Sequence, residues 1–158
     1  MANTQAMTTS FLGEVLTATH NFGTAPTRGS GAADTFKAAL YLASATINAS
    51  TTVYSVTGEV SGTGYSAGGV AVTNATAPLA SNTSTTAGTA YWTPSASITY
   101  TTVTLTTAFD AVLIYNSTQS NKAVSVHTFG SQTITAGTFT LTMPSNTTST
   151  ALLRLATT

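Results

Sequence analysis

Gly64-Tyr65-Ser66-Ala67-Gly68 spells G-x-S-x-G, and Asp110 and His127 follow it in the chain order Ser, Asp, His that α/β-hydrolases use. In that chemistry the serine hydroxyl attacks a carbonyl, the imidazole takes its proton and the carboxylate orients the imidazole. The motif works only on a sharp turn, with a strand leading into the serine and a helix leaving it. Here Ser61-Gly62-Thr63 comes before and Gly69-Val70-Ala71-Val72-Thr73 after, which is a turn followed by a strand. The sequence therefore predicts no catalytic residue. It assigns Gly62, Gly64, Gly68 and Gly69 to a structural turn that needs positive φ angles.

Other chemistries fare no better. Gly62-Thr63-Gly64-Tyr65-Ser66-Ala67 touches the dinucleotide fingerprint but opens no helix, and no glycine run ends in the lysine of a phosphate loop. His20 and His127 are the only histidines and lie far apart in sequence, so no metal and no cofactor is expected. Glu14, Asp34, Glu59 and Asp110 are the only acids; they are spread along the whole chain and not paired as glycoside hydrolysis needs. In a thin core such rare charges satisfy loop backbone donors or form one fixing pair. Tyr91-Trp92 with Tyr100 and Tyr115 read first as core filler, and alternatively as a sugar-stacking platform of a carbohydrate-binding module built on Tyr91, Trp92 and Tyr100.

The elements that must position these residues follow from composition. Only 5% of 158 residues are charged and the formal net charge is zero, which excludes the basic face a nucleic-acid binder needs. Thr supplies 38 residues, and Leu, Ile, Val and Phe together only 31, so one domain with a thin core is expected. With no cysteine, stability must come from packing and assembly. No positively charged, then apolar, leader opens the chain and nowhere do 18 apolar residues run together, so a soluble, unsecreted protein with no membrane partner is expected. The sequons at Asn48, Asn74, Asn82, Asn116 and Asn146 are what a Ser- and Thr-rich chain produces by composition.

Met7, Phe11 and Val15, with Leu12 and Leu16 one position on, recur at spacings of four behind Thr8, Thr9 and Ser10 as possible N-caps. This predicts a short, Gly13-weakened helix whose apolar stripe needs a surface. Residues 1–23 are read as a helical docking segment, with Met7, Phe11, Leu12, Val15 and Leu16 as its interface on a neighbouring subunit. Residues 24–158 are read as the β domain. Loops are expected at 24–33, around Arg28, and at 75–88. Strands are expected at 36–42, 70–74, 90–93, 97–105, 109–116, 123–129, 138–143 and 151–155, with Ala111-Val112-Leu113-Ile114-Tyr115 at the centre of a sheet. The fold class is mostly β, a single antiparallel sandwich or jelly-roll-like domain. Lys37 and Lys122 are the only lysines, so the sheet edges lack their usual charged defence and are expected to be buried against other subunits.

In order and spacing, several stretches together resemble a family of small structural proteins of tailed bacteriophages. They are Ala2-Asn3-Thr4-Gln5, His20-Asn21-Phe22, Asp34-Thr35-Phe36-Lys37-Ala38-Ala39-Leu40-Tyr41 and the run from Glu59 to Gly69. Ala111-Val112-Leu113-Ile114-Tyr115-Asn116, a His127-Thr128-Phe129-Gly130 turn and Ala136-Gly137-Thr138-Phe139-Thr140-Leu141 continue the pattern. The Arg28 loop and the 75–88 stretch are longer than the pattern. The resemblance implies a non-enzymatic virion component, a decoration or cement protein on the outer capsid lattice. Its partners would be the major capsid protein and copies of itself, as a homo-oligomer or lattice. It would be assembled in the host bacterial cytoplasm and reside in the virion. A tail, fibre-base or head-to-tail component is the alternative within the same particle.

Overall fold

The computed structural model describes residues 2–16, 18–22, 33–73, 77–81 and 88–156, apart from the side chains of Gly13 and Leu16. The loop expected around Arg28, most of the 75–88 stretch and the interface role of the Leu16 side chain fall outside that description. In chain order the elements are β1 (Ala6–Met7), α1 (Thr9–Leu16), β2 (Phe36–Leu42), β3 (Val70–Ala71), β4 (Leu79–Ser81), β5 (Thr89–Trp92), β6 (Ile98–Asn116), β7 (Lys122–Leu141) and β8 (Leu153–Ala156). A five-stranded antiparallel sheet runs β1-β7-β6-β2-β3, and a three-stranded one runs β4-β5-β8. The mostly β, antiparallel, sandwich-like fold with one short helix is the one the sequence predicts.

The expected strand at 36–42 forms because Phe36, Ala38 and Leu40 face one apolar layer and Ala39 and Tyr41 another. The pairs of strands expected at 97–105 and 109–116, and at 123–129 and 138–143, are each a single long strand. The turn expected at 127–130 is accordingly part of β7. Thr106, Thr107, Thr133, Ile134 and Thr135 are β-branched, and neither junction contains proline, so nothing there stops a ladder. β4 lies inside the stretch expected to be a loop or arm; its Leu-Ala-Ser sequence carries almost no pattern, and pairing with β5 decides it.

The long hairpin folds back on itself. Phe139 pairs with Tyr100, nine residues before Phe109, a span of roughly 30 Å in a straight strand. Yet the Phe139 and Phe109 rings lie 5.1 Å apart, edge to face. The ladder register shifts on both sides of Phe109, which is where the ribbon bends. The outer part of the hairpin is thereby brought over β2, and the Tyr100 hydroxyl donates to the Ala38 carbonyl at 2.8 Å.

Around β2 and the inner halves of β6 and β7 the five-stranded sheet is buried on both faces. One layer contains Phe36, Leu40, Val112 and Ile114 against Trp92 and Leu153 of the smaller sheet and the outer hairpin. The other contains Ala39, Tyr41, Ala111, Leu113 and Val126, closed by Ile47 and Tyr54 from the chain after β2. This explains why the central Ala111–Tyr115 run is apolar at every position.

The N-terminal segment corrects an expectation. It is seated on its own sheet and not held out for a neighbouring subunit: Phe11 is 2% exposed within the main core, with Met7 and Val15 packed against it. β1 pairs with β7, and the Thr8 hydroxyl donates to the Ala123 and Val124 carbonyls at 3.1 and 3.3 Å instead of standing only as a helix cap. Among the described side chains of the stripe, Leu12, 44% exposed, is the one left facing outward. The helix ends in a Schellman arrangement, with Thr19 N–H on the Glu14 carbonyl, Ala18 N–H on the Val15 carbonyl and Ala18 at φ 53°.

Candidate functional site

The glycine-rich loop after β2 is organised by one carboxylate. Glu59 bridges to Tyr41 beside β2, and Val60 N–H bonds the Leu40 carbonyl, which fixes the loop along β2. Glu59 is 7% exposed and accepts from the Tyr54 hydroxyl (2.5 Å), the Tyr65 hydroxyl (2.7 Å) and the Gly68 N–H (2.8 Å). The Tyr65 oxygen in turn accepts from Leu40 N–H at 3.0 Å, and Tyr115 donates to the Gly68 carbonyl at 2.8 Å. Burial, with the Glu59 charge adding to it, pushes the Tyr54, Tyr65, Tyr100 and Tyr115 hydroxyls up in pKa. Burial likewise raises Tyr41 to about 12. Across the neutral range these hydroxyls stay protonated and act as donors.

Gly64, Gly68 and Gly69 have φ of 78°, 89° and 68°. Gly69 is the most constrained, because a Cβ there would overlap the Ala38 carbonyl of β2. Gly62 has no positive φ; it is glycine because a Cβ would strike the Thr104 carbonyl of the outer hairpin, a close approach the sequence does not announce.

The structure does not bring Ser66, Asp110 and His127 together. Ser66 is exposed in the loop beside β2, with β6 lying between β2 and β7. Asp110 accepts from the Asn3 side chain at 2.6 Å. His127, on β7, sits 2.9 Å from the Ser125 hydroxyl. That Ser125 and His127 pair is one sequence reading missed, although its spacing of two on a strand signals a shared face. Ser125 is 1% exposed, so its oxygen cannot reach a substrate carbonyl, and burial holds His127 down at about 4, a poor base.

A second polar cluster ties the N-terminal segment to the hairpin turn. Lys122 Nζ meets Glu14 at 2.5 Å, and the other Glu14 oxygen meets His20 Nε2 at 2.7 Å. His20 Nδ1 lies 3.0 Å from Asn116 Nδ2, which also donates to Asp34 at 2.7 Å. Asn116 Oδ1 accepts from the Thr118 and Gln119 N–H groups, both at 3.1 Å, so its amide orientation is fixed. The amide nitrogen can only donate to Nδ1, so the neutral imidazole carries its proton on Nε2, toward Glu14. Burial lowers the His20 pKa against the opposing pull of Glu14. Burial pulls Glu14 upward, but its bonds to Lys122 and His20 prevail and leave it below the usual carboxylate value. Asp34 also accepts from Asn21 N–H (2.9 Å) and Gln119 (3.2 Å).

Among the described residues no group of three or more His, Asp or Glu side chains converges as a metal site. The proposed sugar platform is not assembled. Trp92 and Tyr100 are each 2% exposed, Trp92 against Phe22 at 4.8 Å between ring centres and Tyr100 stacked on Tyr65 at 5.9 Å. Tyr91 lines an open hollow of about 240 Å³ with Phe11, Phe22, Pro78 and Leu155, walled by rings and aliphatic groups. No family model, no curated protein and no solved structure matches the chain.

Proposed function

We propose that the chain is a non-enzymatic structural protein of a tailed-bacteriophage virion, a decoration or cement protein that binds the outer capsid lattice through contacts with the major capsid protein and with its own copies. One observation carries the non-enzymatic half: all four carboxylates of the chain are committed to internal hydrogen bonds, Glu14 to Lys122 and His20, Asp34 to Asn21, Asn116 and Gln119, Glu59 to two tyrosines and Gly68, and Asp110 to Asn3. They are fasteners of the fold. The virion half is supported by the order and spacing of the stretches that resemble phage structural proteins. It is also supported by a surface of Thr, Ser and Ala whose contacts would change little with ionic strength.

The test is co-sedimentation of the purified chain with undecorated capsids and, separately, with isolated tails, at about 50 and about 500 mM salt. Binding to capsids that shifts less than about threefold over that range is expected, with Ser66→Ala binding as the parent does. Binding to tails alone would move the protein to the tail. Binding to neither would overturn the virion reading.

A further inference from the structure

β7 is paired along one side by β6; on the other side it is met near the hairpin turn by β1, at Ser125 and Val126, and by a bridge from Val53 to Lys122. From residue 130 to 141 the described residues place no strand on its outer edge. The other edges are short or charged: β1 and β3 have two residues each, β4 has three, and β8 carries Arg154. The β7 edge has neither protection, since no Asp, Glu, Lys or Arg occurs between Lys122 and Arg154. A bulge does limit it on one side. Thr135 and Ala136 lie between the Leu105↔Ile134 and Val103↔Gly137 pairs, with Ala136 at φ 45° and its N–H on the Thr104 hydroxyl at 3.0 Å. Beyond the bulge the strand runs in regular register to its end, Phe139 opposite Tyr100, Thr140 opposite Thr99 and Leu141 opposite Ile98.

We propose that residues 138–141 of β7 are a homotypic interface, at which the strand pairs antiparallel with the same strand of a second copy across a two-fold axis. The edge itself calls for an extended strand, because every second residue of an antiparallel edge directs its N–H and C=O outward. The side chains say which strand. Phe139 and Leu141 are half-buried on the core face, while Thr138 and Thr140 are exposed on the other, and Thr140 already meets Thr99 hydroxyl to hydroxyl at 3.4 Å. In an isologous antiparallel pair that matches faces, the axis passes through a residue. With the axis at Thr140, Thr140 meets its counterpart and Phe139 meets Leu141; with the axis at Phe139, Phe139 meets its counterpart and Thr138 meets Thr140. Either way apolar meets apolar and threonine meets threonine. Near such an axis any charge would face its own copy, and this strand has none.

The interface deepens the self-association in the proposed function but is carried by the edge alone. The experiment is sedimentation equilibrium of the full chain over about 1 to 100 μM, with a Thr138→Lys/Thr140→Lys double variant. The parent should dimerise, and the double variant should weaken the dimer at least tenfold while its melting temperature is kept, because both positions are exposed. Since the chain has no cysteine, Thr138→Cys/Thr140→Cys should form an oxidised dimer with the axis at either residue, and Thr57→Cys, on an exposed loop, should not. A monomeric parent at 100 μM, or a dimer untouched by the two lysines, would overturn the proposal, as would a Thr138→Cys/Thr140→Cys chain that cross-links no faster than the Thr57→Cys control. A monomeric parent that binds capsids, and loses that binding with the two lysines, would assign the edge to another partner and also overturn it. Dimerisation through this edge without capsid binding would leave it standing and remove the virion reading instead.

Discussion

Near its turn the β6–β7 hairpin is buried on both faces and surrounded by charge; farther out the same two strands are threonine-clad on one face and carry none. Residues 109–116 and 122–127 lie against β1, β2 and α1, and Glu14, Asp34, Asp110 and both lysines gather around them. Residues 98–105 and 134–141 have apolar residues on the inner face and threonine on the outer. The difference teaches where a charge-poor protein spends its few charges. They go where burial is deepest and where a single orientation must be chosen, leaving the exposed ribbon to β-branched side chains.

The largest expected effect is removal of residues 1–22, which takes away β1, α1, Phe11 and the Thr8 bonds to β7. The truncated chain should lose cooperative unfolding by circular dichroism; a truncation that melts as the parent does would show that the inner half stands without its N-terminal cover. Next is Glu59→Ala, which orphans two tyrosine hydroxyls and the Gly68 N–H and should cost about 3 kcal/mol in urea unfolding. Glu59→Gln keeps an acceptor oxygen for Tyr65 and Gly68, so about 1 kcal/mol is expected. Equal losses from both would mean that the charge, not the bonding pattern, holds the loop.

Acid should act on the inner half. His127 titrates at about 4 in the folded chain against 6.5 when free, so as the pH falls through that interval the unfolded chain takes up the proton first. Its contribution is intact above pH 6.5 and declines toward pH 4 by about 3 kcal/mol. His20, whose pKa burial also lowers, acts in the same direction, and a proton on Nδ1 would face the Asn116 amide donor. Urea unfolding between pH 7 and 4 should show this slope, and His127→Asn should remove most of it. The smallest effect belongs to the outer ribbon: Thr99→Ala, which deletes an exposed hydroxyl contact to Thr140, should change stability by less than about 0.5 kcal/mol.

The outer and inner halves were also unequally legible. β2 is legible in its bounds, since Phe36, Ala38 and Leu40 alternate with Lys37, Ala39 and Tyr41 and no glycine interrupts them. The sequence breaks β7 in two because Gly130 and Gly137 resemble turn signals, and β6 because Thr106-Thr107-Ala108 interrupts its apolar pattern, whereas a folded-back ladder tolerates both. The Met7 to Val15 stripe was visible, but its seat lies far off in sequence, with Thr8 bonded to a residue 115 positions away, and no local pattern reports such a pairing. Glu59 was legible as a rare charge that would satisfy loop donors, and Gly68 N–H is one of them. The ring of tyrosines around it was not, because only the fold brings Tyr54 and Tyr65 to opposite oxygens.

That distant seat sets an order on synthesis. The stripe is made first and the strand that receives it more than a hundred residues later, so the nascent chain must carry Phe11 and its neighbours uncovered for most of translation. An eight-residue helix with a glycine inside it is too short to persist alone. Held unformed, the stripe presents no continuous apolar face to other nascent chains, and it becomes a helix only when β7 arrives to template it. The weakness of the helix thus works as a delay.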